Sequence, residues 1–104
     1  MNEQQLKEIL VHDLAEMDEI QKRPFQKCSV SPYSEVRYYS DSKWERIWIV
    51  GKIQDENVCF AYSETGYDGF DLHWGLLFLD RSTIGDSGAW YRTLKELIDD
   101  CGYF

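Results

Sequence analysis

The sequence predicts an α+β fold built as one domain over residues 1–104, and three observations predict it. A chain of 104 residues has room for one core, since two would each be too small to be stable. Apolar residues recur at helical spacing near both ends of the chain. Its middle is crowded with β-branched and aromatic residues, which favour strands. The expected architecture is an antiparallel sheet of about four to five strands with an N-terminal and a C-terminal helix packed against it.

Taken in order, Leu6, Ile9, Leu10, Leu14 and Met17 recur at helical spacing, which predicts one amphipathic helix over the first twenty residues. Gln, Glu and Asp occupy its other face, and Pro24 lies beyond its expected stop. From Lys22 to Ser34 the two prolines, Pro24 and Pro32, and the serines around Val30 predict a loop with at most a short edge strand. Strands are expected at 36–39, 44–53, 58–63 and 70–79, with Asp55, Glu56 and Asn57 as a tight turn between the second and third. In the fourth, Phe70, Leu72, Trp74, Leu76 and Phe78 alternate on one face while Leu77 and Leu79 make the other apolar, the pattern of a central strand. The polar run 80–88 is a turn. Asp86 or Ser87 is placed to cap a last helix whose stripe is Trp90, Leu94, Leu97, Ile98 and Cys101, ended by Gly102.

Composition narrows function. A hydrophobic fraction of 43% with 15% aromatic residues excludes a disordered chain and requires the rings to sit in a core or an interface. Eleven bases against nineteen acids give a net charge of -8, which disfavours nucleic acid and anionic membranes and makes a basic partner the natural complement. No apolar run approaches the roughly 20 residues of a membrane span. The N-terminus lacks the cationic and then apolar order of a signal peptide, so a cytoplasmic protein is expected. Cys28, Cys59 and Cys101, odd in number and widely spaced, fit neither a disulfide framework nor metal knuckles, and free thiols are expected.

The charges are segregated. Residues 53–80 hold six acids and no base, and within them the run Tyr62-Ser63-Glu64-Thr65-Gly66-Tyr67-Asp68-Gly69-Phe70-Asp71 interleaves acids with rings between glycines. The glycines are expected to bend the chain and set Tyr67 and Phe70 outward, where an exposed ring among carboxylates is costly unless a partner covers it. Glu64, Tyr67, Asp68, Phe70 and Asp71, with Asp55 and Glu56 from the preceding turn, are therefore the candidate partner-binding residues. The bland alternative is a solvated loop whose acids only keep the domain in solution.

Other constellations are thinner. Asp68, Asp71 and His73 offer oxygen and imidazole ligands at a spacing that matches no metal motif, so no metal or cofactor is assigned. Cys59 with His73 is the one nucleophile and base pair that neighbouring strands could assemble, but Cys59 lies between Val58 and Phe60 as a packed thiol would, and no catalytic residue is assigned. His12, beside Asp13, reads as solvated. Lys22, Arg23, Lys27, Arg37, Lys43 and Arg46 near Tyr38, Tyr39 and Trp44 have the residue types of a nucleic-acid surface. The net charge outweighs them, and pairing with the acidic first helix is the more economical use of these bases.

A small, acidic, ring-rich chain with such a segment at 62–71 resembles bacterial immunity proteins, in particular those of contact-dependent growth inhibition systems that neutralise a toxic nuclease domain. The resemblance implies an inhibitor without enzymatic activity that binds a cognate cationic toxin domain, a ribonuclease or other nuclease, in a 1:1 complex and covers its active site. It implies no cofactor, no nucleic acid and no membrane. The acids of 62–71 or those of the first helix, Asp13 and Glu16, would form the main interface. Two other readings stay open: a nucleic-acid mimic directed at a DNA-binding protein, and a small hydrolase using Cys59 or His73.

Overall fold

A computed structural model describes residues 1–104 and contains helices α1 (Glu3–Ala15) and α2 (Glu19–Cys28), strands β1 (Ser29–Ser40), β2 (Lys43–Ile53), β3 (Val58–Ser63), β4 (Trp74–Phe78) and β5 (Trp90–Tyr91), and helix α3 (Leu94–Asp100). The strands form one antiparallel sheet in the order β1-β2-β3-β4-β5, so the fold is α+β with helices at both ends of the chain. No helix is long and apolar enough to cross a membrane, and the three cysteines are free.

The single first helix expected from the periodicity is two helices, because the sequence carries two capping boxes. Asn2 and Gln5 open α1 by exchanging side-chain and backbone bonds, and Asp18 and Gln21 do the same for α2. Buried Met17 lies in the turn between them. The loop expected from Lys22 is thus the body of α2, which runs through Pro24. The bond that proline cannot donate would have gone to the carbonyl of Ile20, a residue 86% exposed and open to solvent.

The strands depart from expectation at three places. β1 is a twelve-residue strand rather than a short edge piece. The central strand is β3, whose six residues are all buried, and β4 begins only at Trp74; Phe70 and Phe78 stand exposed. Asp86 caps a single turn at Ser87–Ala89, Trp90 and Tyr91 join β4 as a fifth strand, and Thr93 caps α3 by accepting from Glu96 N at 3.1 Å.

Each face of the sheet has its own core. On the outer face Val50, Phe60, Tyr62 and Trp74 pack under Leu6, Met17, Phe25, Leu94, Leu97 and Ile98 of the helices and their connection. On the inner face Ile47, Ile49, Cys59, Ala61 and Leu77 pack under Ile84 and Trp90. Those two residues belong to a strap, residues 79–90, that leaves β4 and reaches the free edge of β1. There Tyr38 N donates to Ser82 O at 2.8 Å and Ile84 N to Tyr38 O at 3.1 Å, and the Trp90 indole closes the strap on Ile84 O at 2.8 Å.

The sheet must curl to allow this. Arg37 of β1 donates from Nη1 to Phe78 O of β4 at 2.8 Å and to Thr83 O at 3.2 Å, although a flat sheet would hold those strands about 14 Å apart. Its Nη2 reaches Cys59 Sγ at 3.7 Å, and the residue is 1% exposed. Arg37, expected among surface bases, is an interior strut. Its Nε has no acceptor: Glu35 comes within 3.4 Å, close enough for charge attraction but not aligned for a hydrogen bond. Of the other bases, Lys22 pairs with Glu19, Lys43 with Asp68 and Arg46 with the Ser34 hydroxyl, and none of these partners lies on α1.

Candidate partner-binding surface

The segment 64–73 joins β3 to β4, and its path is set by one glycine and one glutamate. Gly66 sits at φ +83, and a Cβ there would fall 1.8 Å from Phe70 O, so no other residue fits. The Glu45 carboxylate gathers the Tyr39 hydroxyl at 2.9 Å, the Thr65 hydroxyl at 3.2 Å and the Ser63 hydroxyl. Tyr39 in turn accepts from Asp68 N at 2.7 Å, and burial, reinforced by the bond to Glu45, pushes its phenol up to about 12, so it remains a donor. Sequence patterning had no means of finding Glu45, because nothing in its spacing shows that three hydroxyls converge on it.

This scaffold distributes the candidate residues unequally. Tyr67, expected to face outward, turns inward and packs 5.4 Å from the Tyr39 ring and 6.2 Å from Trp90. Phe70 does project and is 63% exposed. The Asp68 carboxylate is already paired with Lys43, whose ammonium lies 4.8 Å above the Tyr39 ring. Asp71 is exposed, 3.2 Å from His73 Nε2, while His73 Nδ1 donates to Ser63 O at 2.7 Å and the ring stacks on Tyr62. Asp55 and Glu56, exposed in the β2–β3 turn, lie at the opposite end of β3, roughly 17 Å away along the strand, and do not join the others.

Glu64 changes the geometry of the question. Its carboxylate lies 3.4 Å from the Met1 amine, and together with Met1, Gln5, Glu8, Ile9 and His12 it lines one open groove. Burial raises the Tyr62 phenol, and the charges of Asp13 and Glu64 raise it further, so α1 and the loop act on the same ring. The loop and the first helix, expected as alternative interfaces, are therefore continuous.

The tip of the β1–β2 hairpin is a surface that sequence reasoning did not assign. The β1–β2 ladder continues to Ser40 opposite Lys43, whereas the β2–β3 ladder stops at Ile47 opposite Ser63. Beyond that rung Tyr38 faces Trp44 and Val36 faces Arg46, so all four share the outer face, with Trp44 58% and Tyr38 42% exposed. The residue types were visible in the sequence, but the shared face depends on the register.

Cys59 and His73 are not brought together. His73 sits at the Ser63 end of β3, about 13 Å along the strand from Cys59, whose thiol is held by Arg37. Burial pushes that thiol up to about 11 despite the neighbouring guanidinium, so it is neutral. No group of three or more His, Cys, Asp or Glu side chains converges as a cation site. No protein-family model, curated protein or solved structure matches this chain.

Proposed function

We propose that the protein is an immunity protein of the contact-dependent growth inhibition type, a cytoplasmic inhibitor that binds a cognate cationic nuclease toxin domain 1:1 and covers its active site. The observation that carries this reading is the continuity of Glu8 on α1 with Glu64 on the loop in one groove, with Asp13 and Glu64 acting on the same Tyr62 ring, in a chain of net charge -8. A nuclease cleft must attract phosphate, so a surface of carboxylates meets a complementary field and accelerates encounter. Occupancy then excludes substrate with no chemistry by the inhibitor. The hydrolase alternative loses its one assembled pair, since Cys59 and His73 lie apart.

Coexpression with the product of the neighbouring gene tests the reading, with cell growth and a purified 1:1 complex as readouts. Association should slow by about tenfold or more from low to high salt, because steering works only while charges are unscreened. Glu8→Gln with Glu64→Gln should slow association, while Asp55→Asn with Glu56→Gln should leave it unchanged. No complex, or an association rate indifferent to salt, would sink the proposal.

A further inference from the structure

The hairpin tip is built to enter something. β2 from Lys43 to Arg46 has no β3 partner, so the tip projects past the third strand, and its two faces are treated differently. The inner face is buttressed by the Lys43–Asp68 pair, the Tyr39–Tyr67 contact and the Glu45 hydroxyl cluster. On the outer face Trp44 and Tyr38, paired across the two strands, remain 58% and 42% exposed. A projection held rigid from behind loses little entropy on docking, and Trp, Tyr and Arg are the residue types that anchor interfaces.

The surroundings say what the tip would enter. The β2–β3 ladder ends at Ile47 opposite Ser63, but the Thr65 hydroxyl still bonds Glu45, so the chain through Glu64 keeps alongside β2 past that rung and the outer face of the hairpin leads toward the acidic groove of α1 that Glu64 lines. Asp41 adds a carboxylate in the hairpin turn itself. Arg46 makes one side-chain hydrogen bond, to the Ser34 hydroxyl at 3.2 Å, and no ion pair, and so carries an unpaired cation between the two aromatic positions, Trp44 and Trp48, of its strand. Two stacked-base surrogates flanked by carboxylates match a cleft that stacks nucleobases and binds phosphates, and a lone guanidinium among them matches a catalytic carboxylate within it.

We infer that the hairpin face of Tyr38, Trp44 and Arg46 is the anchor that inserts into the substrate cleft of the cationic partner, the aromatic rings standing where bases would stack. The inference rests on the nuclease-inhibitor reading and goes beyond it by placing the strongest contacts on the hairpin rather than on the loop. The groove of α1 and Glu64 then supplies steering, and the hairpin supplies lifetime.

The test uses the full chain and, as probe, the purified product of the adjacent gene. Trp44→Ala should weaken binding by about 100-fold, mainly through faster dissociation, with Trp44→Phe recovering most of the loss and thermal unfolding unchanged in both. Arg46→Ala should lose affinity to wild-type partner but not to a partner whose catalytic carboxylate is replaced by an amide. Iodide should quench Trp44 in the free protein and not in the complex. If Trp44→Ala combined with Tyr38→Ala binds as wild type while Glu8→Gln with Glu64→Gln binds weakly, the inhibitor reading stands and the hairpin anchor is wrong. If the wild-type chain binds no such probe, both fall. Concentration-dependent self-association abolished by Trp44→Ala, or quenching of Trp44 by a short thymidine oligonucleotide, would overturn the anchor in favour of a second copy or a nucleic acid.

Discussion

The outer and inner faces of the curled sheet are held by different physics. On the outer face three helices press rings and aliphatic chains together, as where Phe25 meets Phe60 edge-on at 5.6 Å, and what matters there is apolar area removed from water. On the inner face several strand residues are small, Ala61, Cys59 and Gly75 among them, and the space over them is filled by Ile84, Trp90 and a buried arginine. There the strap stays in place through point contacts: Arg37 to Phe78 O and Thr83 O, Trp90 to Ile84 O, Tyr38 to the strap backbone. An area-driven face tolerates changes of shape, whereas a face of directed contacts does not.

Conservative substitution should separate the two most widely. Arg37→Ala takes the donor from two part-buried carbonyls and opens a cavity where the side chain is 1% exposed, and should cost about 3–5 kcal/mol in urea unfolding. Arg37→Lys should recover little, because one ammonium cannot reach both carbonyls and the Cys59 thiol from the same geometry. Phe60→Ala should cost a similar ~3–5 kcal/mol, but Phe60→Leu should fall to roughly 1.5 kcal/mol or less, since the helices can close on a smaller aliphatic chain. Equal costs for Arg37→Lys and Phe60→Leu would erase the distinction.

A smaller effect compares one glycine from each face. A Cβ on Gly75 would meet the Trp90 ring at 2.7 Å, and that ring is fixed by its bond to Ile84 O. Gly75→Ala should therefore cost about 1–3 kcal/mol by overpacking and shift Trp90 fluorescence. On the outer side a Cβ on Gly51 would meet the Phe60 ring at Cδ2 at 3.2 Å and the Cys28 carbonyl at 3.3 Å. Gly51→Ala should cost about 1 kcal/mol or less, because these neighbours need give by only a few tenths of an ångström. The reverse ranking, read by thermal unfolding, would show that the strap is the softer layer.

The same contrast explains what could be read from sequence. The helix stripes and the strands at 44–53 and 58–63 were legible because area-driven packing writes itself as periodicity, which Leu6, Leu94, Leu97 and Ile98 follow. The division of the first helix was missed because Met17 continues the apolar period across a break that only the Asp18 and Gln21 cap reveals. Trp90 fell into the stripe of the last helix by spacing alone, whereas a ring that packs on Gly75 from the inner face leaves no periodic trace. Of the candidate surface, the acidity of Glu64 and Asp71 and the exposure of Phe70 were legible. The inward turn of Tyr67 depends on Tyr39 and Glu45, more than twenty residues away in sequence, and the hairpin face depends on a register shift between Tyr38 and Ser40.

The smallest effect appears only in alkali, and it sets one thiol from each face against the other. Cys28 lies against the outer core and Cys59 in the inner one, and burial pushes each from 9.0 up to about 11, opposed for Cys59 chiefly by Arg37. A raised thiol keeps its proton longer when folded, so the unfolded chain binds fewer protons between pH 9 and 11 and stability falls as pH rises through that window. Below pH 9 both states are protonated and the effect is absent. Urea unfolding across pH 8 to 12 should show a decline that Cys28→Ala and Cys59→Ala each flatten between 9 and 11, and iodoacetamide should modify neither thiol in the folded protein at pH 8. Tyr39 and Tyr91, raised from 10.0 to about 12, should sustain a second decline between pH 10 and 12 in the double variant. If the double variant instead loses stability from pH 9 upward as steeply as the native chain, neither thiol is shielded as its face requires.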